Sequence, residues 1–211
     1  MTTNHAQIER AALSDLFDQL GPEASTLCEG WTTRDLAAHL VVRESRPDAA
    51  LGIIAAPFAK HGDKVRLRYA AKPYSELVAA VRSGPPKWSV MRPGPIDRAA
   101  NTLEYFVHHE DVRRAQDGWE PRQLDAGLES ELWKILSRMG KILARRAPAG
   151  IVLCPPGRAS VTLKDTEPRV ELHGNVGELV MFLEGRQRAT RVTLDGPDDA
   201  AESLRTAGFG I

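Results

Sequence analysis

At Ala147-Pro148-Ala149-Gly150 the hydrophobic pattern changes period, and that change constrains the fold more than any other feature of the chain. Before it, apolar residues recur at helical spacing. The first segment carries Ile8, Ala11, Ala12, Leu16 and Leu20, and Gly21-Pro22 closes it. After it come short β-rich runs, IVLCP, ASVTLK, PRVELHG and RATRVTLDG, with a helical pattern over 175–184 between the last two. Pro197 then opens a final helix, where its fixed φ is useful. The expected class is α+β: a helical bundle over 1–147 and a small α+β domain over 148–211, which would be marginal alone.

Within the bundle, TTRD marks a helix start, with Thr32 and Asp35 at the spacing of an N-cap pair. That helix runs through LAAHLVVRE and should end before Pro47. Residues 48–83 read as shorter helices broken by Pro57, Gly62 and Pro73, and SGPPKWSVMRPGP, 83–95, as a proline-rich loop. Long helices are predicted over 97–116 and 124–146, giving a bundle with one long crossover.

Composition removes several function classes. Lys+Arg and Asp+Glu balance at 28 each, whereas a phosphate-binding surface leaves a basic excess, so no nucleic-acid partner is expected. MTTNHAQIERAALSDLF lacks a basic-then-apolar layout, and the apolar run AALGIIAAPFA contains a proline and is too short to span a bilayer. A soluble cytoplasmic protein is expected, with Cys28 and Cys154 as free thiols.

The chemistry concentrates in NTLEYFVHHEDVRRA, 101–115. On a helix, Ala100, Leu103 and Val107 form an arc that should face the core, while Glu104 and His108, four apart, are neighbours on one face. Asn101 and Asp111 fall near the same stripe. His109 points roughly 100° away, beside Tyr105 and Arg113, which are poor company for a metal ion. His39, in LAAHLVV, has apolar residues on every side and needs a polar partner. Two readings are open from spacing. His39 is a hydrogen-bonded core residue and Glu104–His108 an ion pair, or the three form a two-imidazole, one-carboxylate set for Zn²⁺ or another divalent ion. His5 and His61 are expected at the surface, and His173 at a strand end with no partner at ligand spacing.

CEGWTTRDLAAHL, 28–40, resembles the Cys-x-Gly-Trp-Ser/Thr-x-x-Asp-Leu-x-x-His-Leu motif of the mycothiol-dependent maleylpyruvate isomerase-like family. That family is a branch of the DinB-like four-helix-bundle superfamily. LEYFVHHEDVRRA resembles its Glu-x-x-x-His helix, and DGPDDAAESLRTAGFGI its C-terminal tail, with the subgroup most resembled being actinobacterial and metal-binding. The resemblance implies a DinB-like bundle with a small, sterol-carrier-like C-terminal domain. It implies metal ligands at His39, Glu104 and His108, packing by Trp31, capping by Asp35 and a structural thiol at Cys28. Its characterised members use mycothiol and draw basic residues from the C-terminal domain; Arg158, Arg169, Arg186, Arg188 and Arg191 are available, and no motif selects one. The expected function is a zinc- and thiol-dependent isomerase or S-transferase acting on a small electrophile, with hydrolysis by an activated water as a variant. Asp111 is then the candidate proton-handling residue, and Asn101 a weaker one. The alternative is a non-catalytic module whose metal holds the bundle together.

Overall fold

The structure, a computed structural model, describes residues 3–46, 48–49, 59–85 and 95–209. Its described elements are α1 (His5–Leu20), α2 (Thr33–Ser45), α3 (Ala59–Ala70), α4 (Tyr74–Ser83), α5 (Pro95–Arg113) and α6 (Ala126–Leu143), followed by β1 (Gly150–Cys154), β2 (Val161–Lys164), β3 (Arg169–His173), α7 (Val176–Leu183), β4 (Thr193–Asp195) and α8 (Asp198–Thr206). The α+β class expected from the sequence is the class observed. Pro57 and most of the proline-rich loop lie outside the described residues.

The chain divides into two compact units, Met1–Trp119 and Glu120–Ile211. In the first, α1, α2, α4 and α5 enclose one core built on Leu13, Phe17, Leu36, Leu40, Leu77, Val81, Tyr105 and Val112. Helix α6, which periodicity alone assigns to the bundle, instead groups with the second unit, against α7 and β2. Gly140 permits that approach, because a Cβ there would meet the Leu163 side chain at 2.9 Å.

Local signals start and stop the bundle helices. Asn4 Oδ1 caps α1 by accepting from the Gln7 amide, and Gly21, with φ +77°, closes it. Thr32 and Asp35 form the expected capping box at the start of α2. Gly62 breaks nothing: α3 runs straight through it. A helical glycine costs about 1 kcal/mol relative to alanine. Burying Val65 against Val42 and Ala49 offsets it, at about 1.5–3 kcal/mol for a full aliphatic side chain.

Helix α5 is less amphipathic than its sequence suggests. Leu103 is only half-buried, Val107 is buried, and the side chain of Ala100 lies outside the described residues. The residues that join the core cluster are Tyr105 and Val112. Asn101, Thr102, His108, His109, Glu110 and Asp111 are buried as well. Buried polar residues on α5 need partners: α1 supplies Glu9 for His109, α2 supplies Arg43 for Asn101 and the loop before α2 supplies Cys28 for Asp111, while Arg113 and Arg114 hold Glu110 from its own helix end.

In the second unit the sheet order is β2-β1-β3-β4, with β1 and β3 parallel at the centre and antiparallel strands at both edges. Ile151, Leu153, Val170 and Leu172 are buried on one face, and α7 is buried along its whole length. Gly150 opens β1 because any Cβ there would fall 2.1 Å from the Thr166 carbonyl oxygen.

Candidate metal centre

Three segments of the first unit converge on one polar cluster: the α1–α2 loop, α2 and α5. The loop is tied to α5 by its backbone, with the Leu27 amide donating to the Asp111 carbonyl at 3.0 Å. It then makes a turn in which the Trp31 amide donates to the Cys28 carbonyl at 2.9 Å, with Gly30 at φ +73°. This turn delivers the Cys28 thiol and the Trp31 indole to the same side of the bundle.

His39 comes from the middle of α2, and Glu104, His108 and Asp111 from successive turns of α5. His39 Nε2 lies 3.5 Å from Glu104 Oε1, and His108 Nε2 lies 3.3 Å from that same oxygen. The ligand-type atoms of these three residues all fall within 4.8 Å of one another. The two imidazole rings meet edge to face, with centroids 5.4 Å apart at 74°. Trp31 packs on His39 from the other side, with centroids 5.1 Å apart. Glu104 is the most exposed of the three side chains at 24%, against 12% for His39 and 10% for His108, so access is on the Glu104 side.

A second layer orients the first. His108 Nδ1 lies 3.0 Å from Asp111 Oδ2, and the Cys28 thiol donates to that same oxygen at 3.2 Å. Asp111 itself is fully buried. Arg43, one turn beyond His39, approaches Glu104 Oε1 at 3.1 Å through Nε and donates to Asn101 Oδ1 at 2.8 Å. Cys28, His108 and Asp111 form a second, overlapping set of donors close enough for a metal. It shares only His108 with the first set, and through the other nitrogen of the ring.

The electrostatics follow from this arrangement. Burial holds His39 below the ordinary histidine pKa, with the His108 and Arg43 charges adding to it against Glu104, which favours the neutral ring that a metal requires. Burial alone would raise Glu104, but His108, His39 and Arg43 outweigh it and hold the carboxyl well below its usual range. Burial opposes charge on His108 too, yet Asp111, Cys28 and Glu104 together push it well above the ordinary value. The donor set fits a divalent ion: two imidazole nitrogens already face one ionised carboxylate oxygen, and a carboxylate holds the far nitrogen of His108, as in carboxylate–histidine–metal arrangements.

The adjacent histidine has different company. His109 Nδ1 pairs with Glu9 Oε2 of α1 at 2.9 Å, both side chains being buried. Its neighbour one turn back, Tyr105, donates to Glu44 Oε1 at 2.7 Å. Sequence reasoning separated the two histidines but missed Glu9, because nothing in the local sequence marks a pairing across that distance. It also missed Arg43, although its i,i+4 spacing from His39 was a usable signal. His5, expected at the surface, is buried, whereas His61 is exposed and pairs with Asp48 at 3.1 Å. Arg158 and Arg169 pair with Glu129 and Asp165 inside their own unit.

If the cluster holds a divalent ion, replacing Asp111 by Asn, nearly the same shape, should weaken its binding about 10–100-fold without unfolding the protein, the usual effect of removing a ligand's outer hydrogen-bond partner. Competition against a chelator measures it, and an unchanged affinity would remove Asp111 from the site.

No family model matches the chain, and no curated protein matches it by sequence. Among solved structures it is similar to the crystal structure of the mycothiol-dependent maleylpyruvate isomerase, with a TM-score of 0.61 and 14% identity over 90% of each chain. A histidine-to-alanine mutant of that isomerase matches with the same TM-score and coverage at 13% identity. No described helix is long and apolar enough to cross a membrane. At these identities the shared property is architecture, and the chain has the α+β fold seen in the mycothiol-dependent maleylpyruvate isomerase.

Proposed function

We propose that the chain is a divalent-metal-dependent enzyme that uses a small thiol, mycothiol, to isomerise a small electrophile or transfer sulfur to it. The observation that carries this reading is the approach of His39 Nε2 and His108 Nε2 to one oxygen of Glu104, with Asp111 behind the far nitrogen of His108. His39, Glu104 and His108 are the proposed ligands. Zinc is the proposed ion, because two imidazoles and one carboxylate with open positions suit a catalytic zinc. Bound there, a divalent ion supplies Lewis acidity, which lowers the pKa of a thiol or water at its open position.

The chain's own residues have distinct tasks. Arg43 adds its charge to those of His108 and His39 in keeping Glu104 ionised. Asp111 accepts the His108 Nδ1 proton, fixing the tautomer that leaves Nε2 free, and is the proposed proton-handling group. Trp31 covers His39 and excludes water from that side. The fold shared with a mycothiol-dependent isomerase supports the choice of thiol. The reading places the protein in a reducing actinobacterial cytoplasm, where the thiols of Cys28 and Cys154 stay reduced. The sterol-carrier-like character of the C-terminal domain belongs to the same proposal.

Calorimetric titration of mycothiol into zinc-loaded protein tests it. Wild type should bind, and Glu104→Ala should lose that binding. If wild type binds no thiol while Glu104→Ala loses thermal stability, the metal is a structural pin and the non-catalytic reading replaces this one.

A further inference from the structure

The outer face of the sheet carries a second cluster of metal-ligating side chains, and strand register places it there. Cys154 of β1 and His173 of β3 are Cα partners in the parallel pairing, so their side chains share a face. Glu171 stands two residues before His173, on that same face. The alternating burial of β3 turns Val170 and Leu172 into the unit's interior and leaves Glu171 and His173 outside, with side chains 50% and 44% exposed. From sequence alone His173 has no partner at ligand spacing. Pairing of β1 with β3 provides one, 19 positions away.

We propose that Cys154, Glu171 and His173 form a second divalent-metal site, of zinc type and open to solvent. His173 Nε2 lies 3.2 Å from Glu171 Oε2, and Cys154 Sγ lies 3.7 Å from that oxygen. All three ligand atoms fall within 4.8 Å of one another. With metal–ligand bonds of about 2.0–2.3 Å, neighbouring donors around one tetrahedral zinc stand about 3.3–3.7 Å apart, so the separations of 3.2 and 3.7 Å lie close to the edge lengths of such a site. The donor types select the ion. A thiolate and an imidazole favour zinc or a late first-row divalent cation, and disfavour Mg²⁺ and Ca²⁺, which take oxygen ligands. Thiolate and carboxylate together carry two negative charges, matching one such ion. The Ser160 hydroxyl donates to Cys154 Sγ at 3.4 Å, the outer-shell support that steadies a ligating sulfur. The fourth position faces solvent and is available to water or an incoming donor. None of these residues belongs to the helical cluster, so the two sites load independently.

Cobalt titration of the full-length Cys28→Ser/Glu104→Ala protein tests the proposal, because there Cys154 is the remaining thiol and the helical set lacks its carboxylate. One equivalent of Co²⁺ should produce a sulfur-to-cobalt charge-transfer band with intense tetrahedral d–d absorption, both bleached by Zn²⁺. Adding Cys154→Ser should abolish the charge-transfer band, and His173→Ala should weaken Co²⁺ binding at least about 100-fold, beyond the loss of an outer-shell partner. Absence of the band, or its persistence without Cys154, overturns the site. Should the double variant not fold, zinc stoichiometry of wild type against Cys154→Ser gives the same answer. A difference of one equivalent supports the site and no difference overturns it.

Discussion

His108→Ala is expected to lose the metal of the helical centre, with zinc affinity falling by more than about 100-fold, beyond what loss of an outer-shell partner costs. His109→Ala should retain it. The comparison is cleanest in a Cys154→Ser background, where zinc analysis reports the helical centre alone. His108 offers Nε2 toward Glu104 at 3.3 Å and has its other nitrogen held by Asp111. His109 is committed to Glu9 on another helix, whose side chain is 2% exposed. Its removal should therefore appear in stability, by about 1.5–3 kcal/mol, the range for one hydrogen bond to a charged group. Urea denaturation measures that loss. Equal loss of metal from the two variants would mean that both histidines serve one ion, and the assignment of partners given above would fail.

The second large effect is far from any metal ligand. Arg10→Met should destabilise the N-terminal unit by about 3–5 kcal/mol, as expected when one partner of a buried ion pair is removed. Arg10 of α1 pairs with both carboxylate oxygens of Glu44 on α2, and its Nη1 also donates to the Val81 carbonyl of α4 at 2.9 Å. Its guanidinium lies 4.1 Å from the centroid of the Tyr105 ring on α5, and Tyr105 donates to Glu44 as well. All four helices that build the core thus meet at one buried network. Burial, reinforced by Glu44, holds the Tyr105 phenol well above its usual pKa, so it remains a donor at neutral pH. Adding Glu44→Gln to the Arg10→Met variant should recover part of the loss, because the carboxylate charge is then gone. Loss of less than about 1 kcal/mol from the single variant would mean that the network is solvated like a surface pair.

Both expectations concern α5, whose pattern resembles an amphipathic surface helix but six of whose polar residues, Asn101, Thr102, His108, His109, Glu110 and Asp111, are buried. The sequence shows that Glu104 and His108 share a face, since a helix repeats every 3.6 residues and that relation is local. It shows that His39 needs a polar partner, since its neighbours in sequence are apolar. It does not show that Glu9 answers His109, that Glu44 answers Tyr105, or that the Cys28 thiol donates to Asp111. Each of those pairs joins segments separated by tens of residues, and such distances are set only when helices pack.

The same division runs through the rest of the chain. The helix start at Thr32, the stop at Gly21, the change of period after Arg146 and the α+β class are all local, because caps and hydrophobic periodicity act within a few turns. Tertiary structure decided what those elements do together. It grouped α6 with the sheet, carried α3 through Gly62, and set Cys154 opposite His173. Packing and strand register are non-local choices, made by the summed burial of many side chains rather than by any single stretch of residues.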